Sequence, residues 1–194
     1  MMVLLFDMLE IRIHGRGGQG AVTAATILAT AVFREGNWSQ KIPVYGAERR
    51  GAAVEAFVRI DDKPITILSY IYEPDCVIVL DPALPKVIDI TTGLKESGVA
   101  VLNSTEPPEN VDLPMQPAKI ATVDATGIFI EVIGPRAIAF TNITMLGAFS
   151  AATGWVKLES LFEPIMEAFP GAMGQKNIEM CKKGYERTLT KELK

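Results

Sequence analysis

The sequence predicts an α/β fold: a mostly parallel sheet with helices on both faces, opened by a glycine-rich strand–helix turn and extended by an antiparallel hairpin. Three observations carry this expectation. Cys76–Leu80, Val99–Asn103 and Ile120–Asp124 are short apolar runs, the mark of strands covered on both faces. Stretches suited to helices follow such runs, as in a parallel sheet. Segment 53–69 holds two strand-like runs around Asp61-Asp62-Lys63-Pro64, residues that favour a turn.

Leu9-Glu10-Ile11-Arg12-Ile13-His14 alternates apolar and polar residues, the period of a first strand. A glycine cluster follows, then Ala21–Arg34, rich in Ala, Leu and Ile, reads as a helix stopped at Gly36. A short strand is expected around Ser39–Val44, a polar loop over Tyr45–Gly51, a strand over Ala53–Ile60 and its hairpin partner over Ile65–Ser69. Ala83–Glu96 is expected to be helical. Residues 104–118 contain Pro107, Pro108, Pro114 and Pro117 and read as a loop. Ile128–Gly134 reads as a short helix and Thr144–Ala152 as a buried one, while Leu158–Phe169 and Gln175–Leu193 are amphipathic.

At 194 residues the chain has the size of one domain, taken as 1–194. Hydrophobic residues at 48% and charged ones at 22% suit a globular protein, and a net charge of −4 lacks the basic face that nucleic acid requires. Cys76 and Cys181 are the only cysteines and His14 the only histidine. A disulfide scaffold, a Cys-ligated zinc or iron–sulfur centre within this chain and a His-based triad are thereby disfavoured, and a reducing compartment is expected. The uncharged run Ala137–Val156 matches a bilayer span in length, but Thr141, Asn142, Thr144, Ser150 and Thr153 interrupt it. A buried strand followed by a buried helix fits it better. Met1–Phe6 has no basic flank and no small-residue cleavage site, so it does not read as a signal peptide. The expectation is a cytoplasmic chain without a membrane partner.

The strongest local motif is Gly15-Arg16-Gly17-Gly18-Gln19-Gly20 between a strand and a helix. It gives a Rossmann-like first turn, in which glycines allow close approach and free N–H groups at the helix start attract a phosphate. Arg16 adds a charge suited to phosphate or carboxylate; a tight turn that merely packs is the plain alternative. A dinucleotide site also wants an acidic residue at the end of the second strand, where this chain has Lys41-Ile42-Pro43-Val44-Tyr45. That argues against NAD or FAD. In Tyr45-Gly46-Ala47-Glu48-Arg49-Arg50-Gly51, Arg49 and Arg50 suit an anion or a partner subunit; a solvated loop with Glu48 pairing locally is the alternative. Asp124 is explained by helix capping, and Asn142 and Thr144 are expected to cap the helix that begins there. Asp81 stands at a strand end with no visible partner. No P-loop, nucleophile elbow or metal triad is present.

These residues, together with Pro74-Asp75, Val77–Asp81, Val101-Leu102-Asn103-Ser104, Asp124-Ala125-Thr126 and Asn142 followed by Met145-Leu146-Gly147-Ala148-Phe149, resemble the gamma subunits of 2-oxoacid:ferredoxin oxidoreductases over about residues 10–187. The Arg at 16 and the Glu-Arg-Arg-Gly loop look most like gamma subunits of pyruvate synthase; those of branched-chain 2-oxoacid enzymes look much the same. The resemblance implies a subunit inactive alone. In such complexes thiamine diphosphate and [4Fe-4S] clusters belong to partner subunits, and alpha, beta and delta chains and ferredoxin are the partners. It also implies a part in coenzyme A handling and subunit packing, with Gly15–Gly20, Arg16, Arg49 and Arg50 the residues to examine for coenzyme A phosphates. No catalytic residue carries over. Exposed apolar surface around 141–156 would favour a subunit; a free-standing phosphate- or nucleotide-binding α/β protein is the rival.

Overall fold

The computed structural model describes residues 8–43 and 51–193. Its seven strands are β1 (Leu9–Arg16), β2 (Trp38–Pro43), β3 (Ala53–Asp61), β4 (Cys76–Val79), β5 (Val99–Asn103), β6 (Lys119–Val123) and β7 (Leu189–Glu192). They form one sheet in the order β2-β3-β1-β4-β5-β6-β7. β1, β4, β5 and β6 run parallel, while β3 lies antiparallel between β1 and β2, and β7 is antiparallel to β6.

The antiparallel hairpin exists, but its strands are β2 and β3 rather than β3 and Ile65–Ser69. Both edges of β3 are occupied, one by β1 and one by β2, so no ladder remains for a returning strand. The chain after β3 instead hangs from the buried guanidinium of Arg59, whose Nη1 donates to Ile67 O at 3.4 Å and Nη2 to Tyr70 O at 3.4 Å.

The helices are α1 (Ala21–Arg34), α2 (Ala125–Ile133), α3 (Asn142–Thr153), α4 (Phe162–Ala168) and α5 (Ala172–Glu186). Ala24, Ile27, Leu28, Ala31 and Val32 form the buried stripe of α1, spaced to face a core once per turn. Asp124 caps α2 as expected, its Oδ1 accepting from Gly127 N at 2.7 Å. Nearly every residue of α3 is buried, so the helical part of the uncharged run is core and does not offer the exposed apolar surface that would favour a subunit. The strand expected before it is absent, since residues 137–140 are irregular and Phe140 is exposed. A Cβ at Gly147 would lie 2.0 Å from Cys181 O; only glycine lets α3 and α5 approach so closely.

One large cluster joins Ile11, Ile13, Ile78, Val101 and Val123 of the sheet to α1, α2, α3 and α5. The opposite face carries Val77, Val79, Ala100, Leu102 and Ile120, covered by Leu84, Ile90, Leu94 and Leu113. Helices on both faces are therefore not what forms: the second face is covered by turns and short 3-10 segments. Ala83–Glu96 contributes only a 3-10 turn at Leu84–Lys86. Pro85 sits inside it, Val87, Ile88, Ile90, Thr91 and Thr92 are β-branched, and Gly93 has φ +73°, all unfavourable to a continuous helix. Gln175–Leu193 also divides, because after α5 the chain supplies β7 to the open edge of β6.

The alternation of β1 has an unexpected use. Ile11 and Ile13 face the helices, while Arg12 and His14 are buried on the other side. Arg12 Nη2 donates to the carbonyls of Ile90 at 3.2 Å and Thr92 at 2.6 Å, and its Nε to His14 Nε2 at 2.9 Å. His14 Nδ1 then carries the proton of the neutral ring and lies 3.3 Å from Glu55 Oε1. Burial, and then the neighbouring Arg12 charge, push the His14 pKa down to about 3.

The unfolded chain binds a proton at His14 near pH 6.5, whereas the folded chain does not until about pH 3. Stability is then lost as pH falls through that window, by about 1.4 kcal/mol per unit inside it. Chemical denaturation at about pH 7.5 and about pH 5 should show the wild type losing about 2 kcal/mol more than His14→Gln. Equal losses would contradict the buried neutral ring.

Candidate functional site

β1 ends at Arg16, and the chain turns through Gly17–Gln19 before α1 begins at Ala21. Gln19 N donates to Arg16 O at 2.9 Å, and Gly17 N to Ala52 O at 2.9 Å. Gly18 and Gly20 have φ +95° and +84°, a region that side chains with Cβ adopt at a cost. The carbonyl of Gly20 accepts from Ala24 N at 2.9 Å and from Asn142 Nδ2 at 3.2 Å. α1 opens with no side-chain cap and no acidic residue in its first turn. Among the described residues, the leading N–H groups of Ala21, Val22 and Thr23 meet no acceptor. They carry the positive end of the helix dipole.

Gln19 clamps the turn to the neighbouring strand. Its Oε1 accepts from Arg16 N at 2.8 Å and its Nε2 donates to Asp81 Oδ2 at 2.8 Å. Asp81 therefore does have partners, and Arg16 is one of them: Arg16 Nε lies 3.2 Å from Asp81 Oδ2, and Nη1 donates to Gly51 O at 3.2 Å. The guanidinium read as suited to phosphate or carboxylate is paired here with a carboxylate of the chain itself. Gly15 lies under Leu80, whose Cδ1 would be 3.2 Å from a Cβ there.

Beside this turn lies a cavity of about 790 Å³. Arg16, Gly17, Gly18, Gly20 and the first turn of α1 form one wall. Phe129 and Ile133 of α2 and the following Arg136, Ile138 and Phe140 form a second, and Phe169, Met173, Asn177 and Met180 a third. Of the residues singled out in the sequence, Arg16, Gly17, Gly18 and Gly20 line the cavity, whereas Gly15 and Gln19 support the turn. Arg49 and Arg50 lie outside the described residues. Sequence reasoning missed Arg136, Asn142 and Asn177 as cavity residues. Arg136 had one signal: it is the only charged residue between Glu131 and Lys157.

Asn142 does not cap α3. Thr141 takes that position without a side-chain cap bond and donates its hydroxyl to Leu80 O at 2.9 Å, while Asn142 reaches across to Gly20. Thr144 Oγ1 is buried without a partner. Both thiols are buried, which raises their pKa, that of Cys181 to about 12. Among the described residues no cluster of His, Cys, Asp and Glu has the arrangement of a metal site, and no helix is long and apolar enough to cross a membrane.

Residues 10–187 match the family model described as pyruvate ferredoxin/flavodoxin oxidoreductase. The chain is 53% identical over 188 residues to the pyruvate/ketoisovalerate oxidoreductases common subunit gamma of Thermococcus kodakarensis, covering 96% of this chain and 100% of the relative. It is 50% identical over 179 residues to the pyruvate synthase subunit PorC of Methanothermobacter thermautotrophicus, covering 92% and 95%. The crystal structure of the pyruvate oxidoreductase subunit PORC of Thermotoga maritima superposes with a TM-score of 0.81 at 35% identity, covering 96% of this chain and 100% of that one.

The turn's geometry sets an order of sensitivities. Gly18→Ala meets open space and incurs only the left-handed backbone cost, about 1–2 kcal/mol. Gly20→Ala adds a Cβ 2.5 Å from Asn142 Nδ2 and should lose about 1 kcal/mol more through the displaced hydrogen bond. Urea unfolding of the two variants measures the difference; a less stable Gly18→Ala would contradict the Asn142 contact.

Proposed function

The chain belongs to the pyruvate ferredoxin/flavodoxin oxidoreductase family, and from that premise we infer that it works as the gamma subunit of a cytoplasmic 2-oxoacid:ferredoxin oxidoreductase, with pyruvate the 2-oxoacid. The carrying observation is the match of nearly the whole chain to a gamma subunit along that subunit's full length. The complex oxidatively decarboxylates its 2-oxoacid to an acyl-coenzyme A and passes electrons to ferredoxin, or runs the reverse. Alpha, beta and delta chains are the partners, thiamine diphosphate and [4Fe-4S] clusters are held by partner subunits, and this chain acts as a single gamma-type domain over 1–194. Its buried thiols and its neutral, buried histidine supply neither cluster ligands nor a general base.

Within that reading, Gly15–Gly20 is the phosphate-facing end of a coenzyme A site: three leading amides of α1 without acceptors, beside a cavity, suit an anion. Arg16 then acts mainly by holding the turn through Asp81. Arg49 and Arg50 are assigned to assembly, because stripping a buried interface pair of one partner costs more than a peripheral phosphate contact. A second reading has a specific support. The Thermococcus kodakarensis relative is named as common to pyruvate and ketoisovalerate oxidoreductases, so a branched-chain 2-oxoacid complex is the alternative host of this chain.

Co-expression with alpha, beta and delta chains should yield a complex that reduces a viologen with pyruvate and coenzyme A, while the isolated chain supplied with thiamine diphosphate should not. Turnover by the isolated chain, or failure to join such a complex, would overturn the assignment. Changing Arg49 and Arg50 together to Gln should abolish co-purification. Intact assembly with a weaker and less salt-sensitive coenzyme A response would move both arginines to the ligand.

A further inference from the structure

We propose that Arg136, Asn142 and Asn177 are the ligand-recognising side chains of the 790 Å³ cavity, and that they select a phosphorylated ligand with an apolar or aromatic body carrying hydrogen-bond donors. Arg136 lines the cavity, and among the described residues it forms no ion pair or hydrogen bond. Among the described residues it is the cavity-lining arginine without a protein partner, since Arg16 lies 3.2 Å from Asp81 Oδ2.

The two asparagines point to the same ligand independently. Asn142 and Asn177 are 3% and 6% exposed and both line the cavity. Each uses its amide nitrogen on a backbone carbonyl, Asn142 on Gly20 O at 3.2 Å and Asn177 on Met173 O at 2.9 Å. That leaves both Oδ1 atoms without a donor among the described residues. Neither oxygen belongs to the fully buried unsatisfied atoms, which are His14 Nδ1 and Thr144 Oγ1. Both therefore keep some accessible surface, and both residues line the cavity. Buried acceptors are kept without a protein donor where water or a ligand supplies one.

The remaining wall is apolar, and Phe129 and Phe140 meet edge to face at 6.1 Å. Phe140, 49% exposed, presents aromatic surface at the rim. An anion placed between Arg136 and the α1 amides would leave its apolar body on these rings and its N–H or O–H donors toward Asn142 and Asn177. Inorganic phosphate alone would use only the first of these three features. A ligand of the coenzyme A type, with phosphates, an aromatic base and amide N–H groups, would use all three. Naming coenzyme A rests on the gamma-subunit reading; the residue assignment rests on the cavity.

Calorimetric titration of the full chain with coenzyme A tests the assignment. The wild type should bind, and inorganic phosphate should compete. Arg136→Gln should weaken binding by about tenfold or more, as for a lost charge-assisted hydrogen bond. Arg136→Lys should recover most of that loss, because a point charge still meets a phosphate. Asn177→Leu, close in volume but without the acceptor, should weaken binding several-fold. In the assembled complex the same changes should raise KM for coenzyme A and leave KM for pyruvate unchanged. Absence of coenzyme A binding to the wild type would overturn the proposal, as would wild-type affinity in Arg136→Gln and Asn177→Leu proteins that unfold at the wild-type midpoint. A chain that assembles into an active complex yet behaves in either way refutes the cavity assignment alone. A chain that joins no such complex refutes the gamma-subunit reading instead.

Discussion

β1 is hydrogen-bonded along both edges, and the rest of the molecule is arranged around that pairing. From Leu9↔Ile60 to Arg16↔Ala53 it runs antiparallel to β3, while Ile11↔Cys76 to His14↔Val79 runs parallel to β4. Both neighbours come from later in the chain, one on each side, so the chain must leave β1 from the interior of the sheet. It can do so only through a tight turn at the strand's end. In open α/β sheets such a point is where ligands find a crevice, and it is where Arg16–Gly20 and the cavity lie.

The two faces of β1 solve different problems. Toward the helices, Ile11 and Ile13 join the main apolar cluster. Toward the other side, the covering chain is irregular, and irregular chain over a sheet brings carbonyls that no helix satisfies. Two buried guanidinium groups meet that demand: Arg12 takes the carbonyls of Ile90 and Thr92, and Arg59 those of Ile67 and Tyr70. Arg59 is itself neutralised by Glu10, with Nε to Oε1 at 2.7 Å. Charges that look solvent-facing in the sequence thus hold down the segments that replace a helical layer, where an unpaired polar group would cost several kcal/mol, on the order of 1–3 each.

Contacts distant in sequence place the candidate site. Asp81, at the end of β4, draws both Arg16 and Gln19 to itself, and Asn142, at the start of α3, holds the Gly20 carbonyl. The turn is therefore fixed from two sides by the protein's own contacts. The same clamp pairs Arg16 with Asp81, while Arg136, also lining the cavity, has no partner among the described residues.

Local pattern was enough for the parallel strands, α1 with its glycine-rich entry, and the cap of α2, because each depends on periodicity, turn chemistry or a neighbour three residues away. The shortage of cysteine and histidine likewise argues from composition alone against a cluster ligated within this chain. Tertiary structure decided what depends on partners far along the chain. Whether Ile65–Ser69 pairs depends on whether β3 has a free edge, and β2 takes it. Pro85, the β-branched run and Gly93 already disfavour a helix over Ala83–Glu96, and it is Arg12 across the sheet that takes the carbonyls of Ile90 and Thr92. Whether Arg16 is paired depends on where Asp81 stands relative to it. Sequence spacing records neither strand order nor the reach of a side chain across the sheet, and those two quantities placed the cavity, paired Arg16 with Asp81 and brought Arg136, Asn142 and Asn177 to the cavity's lining.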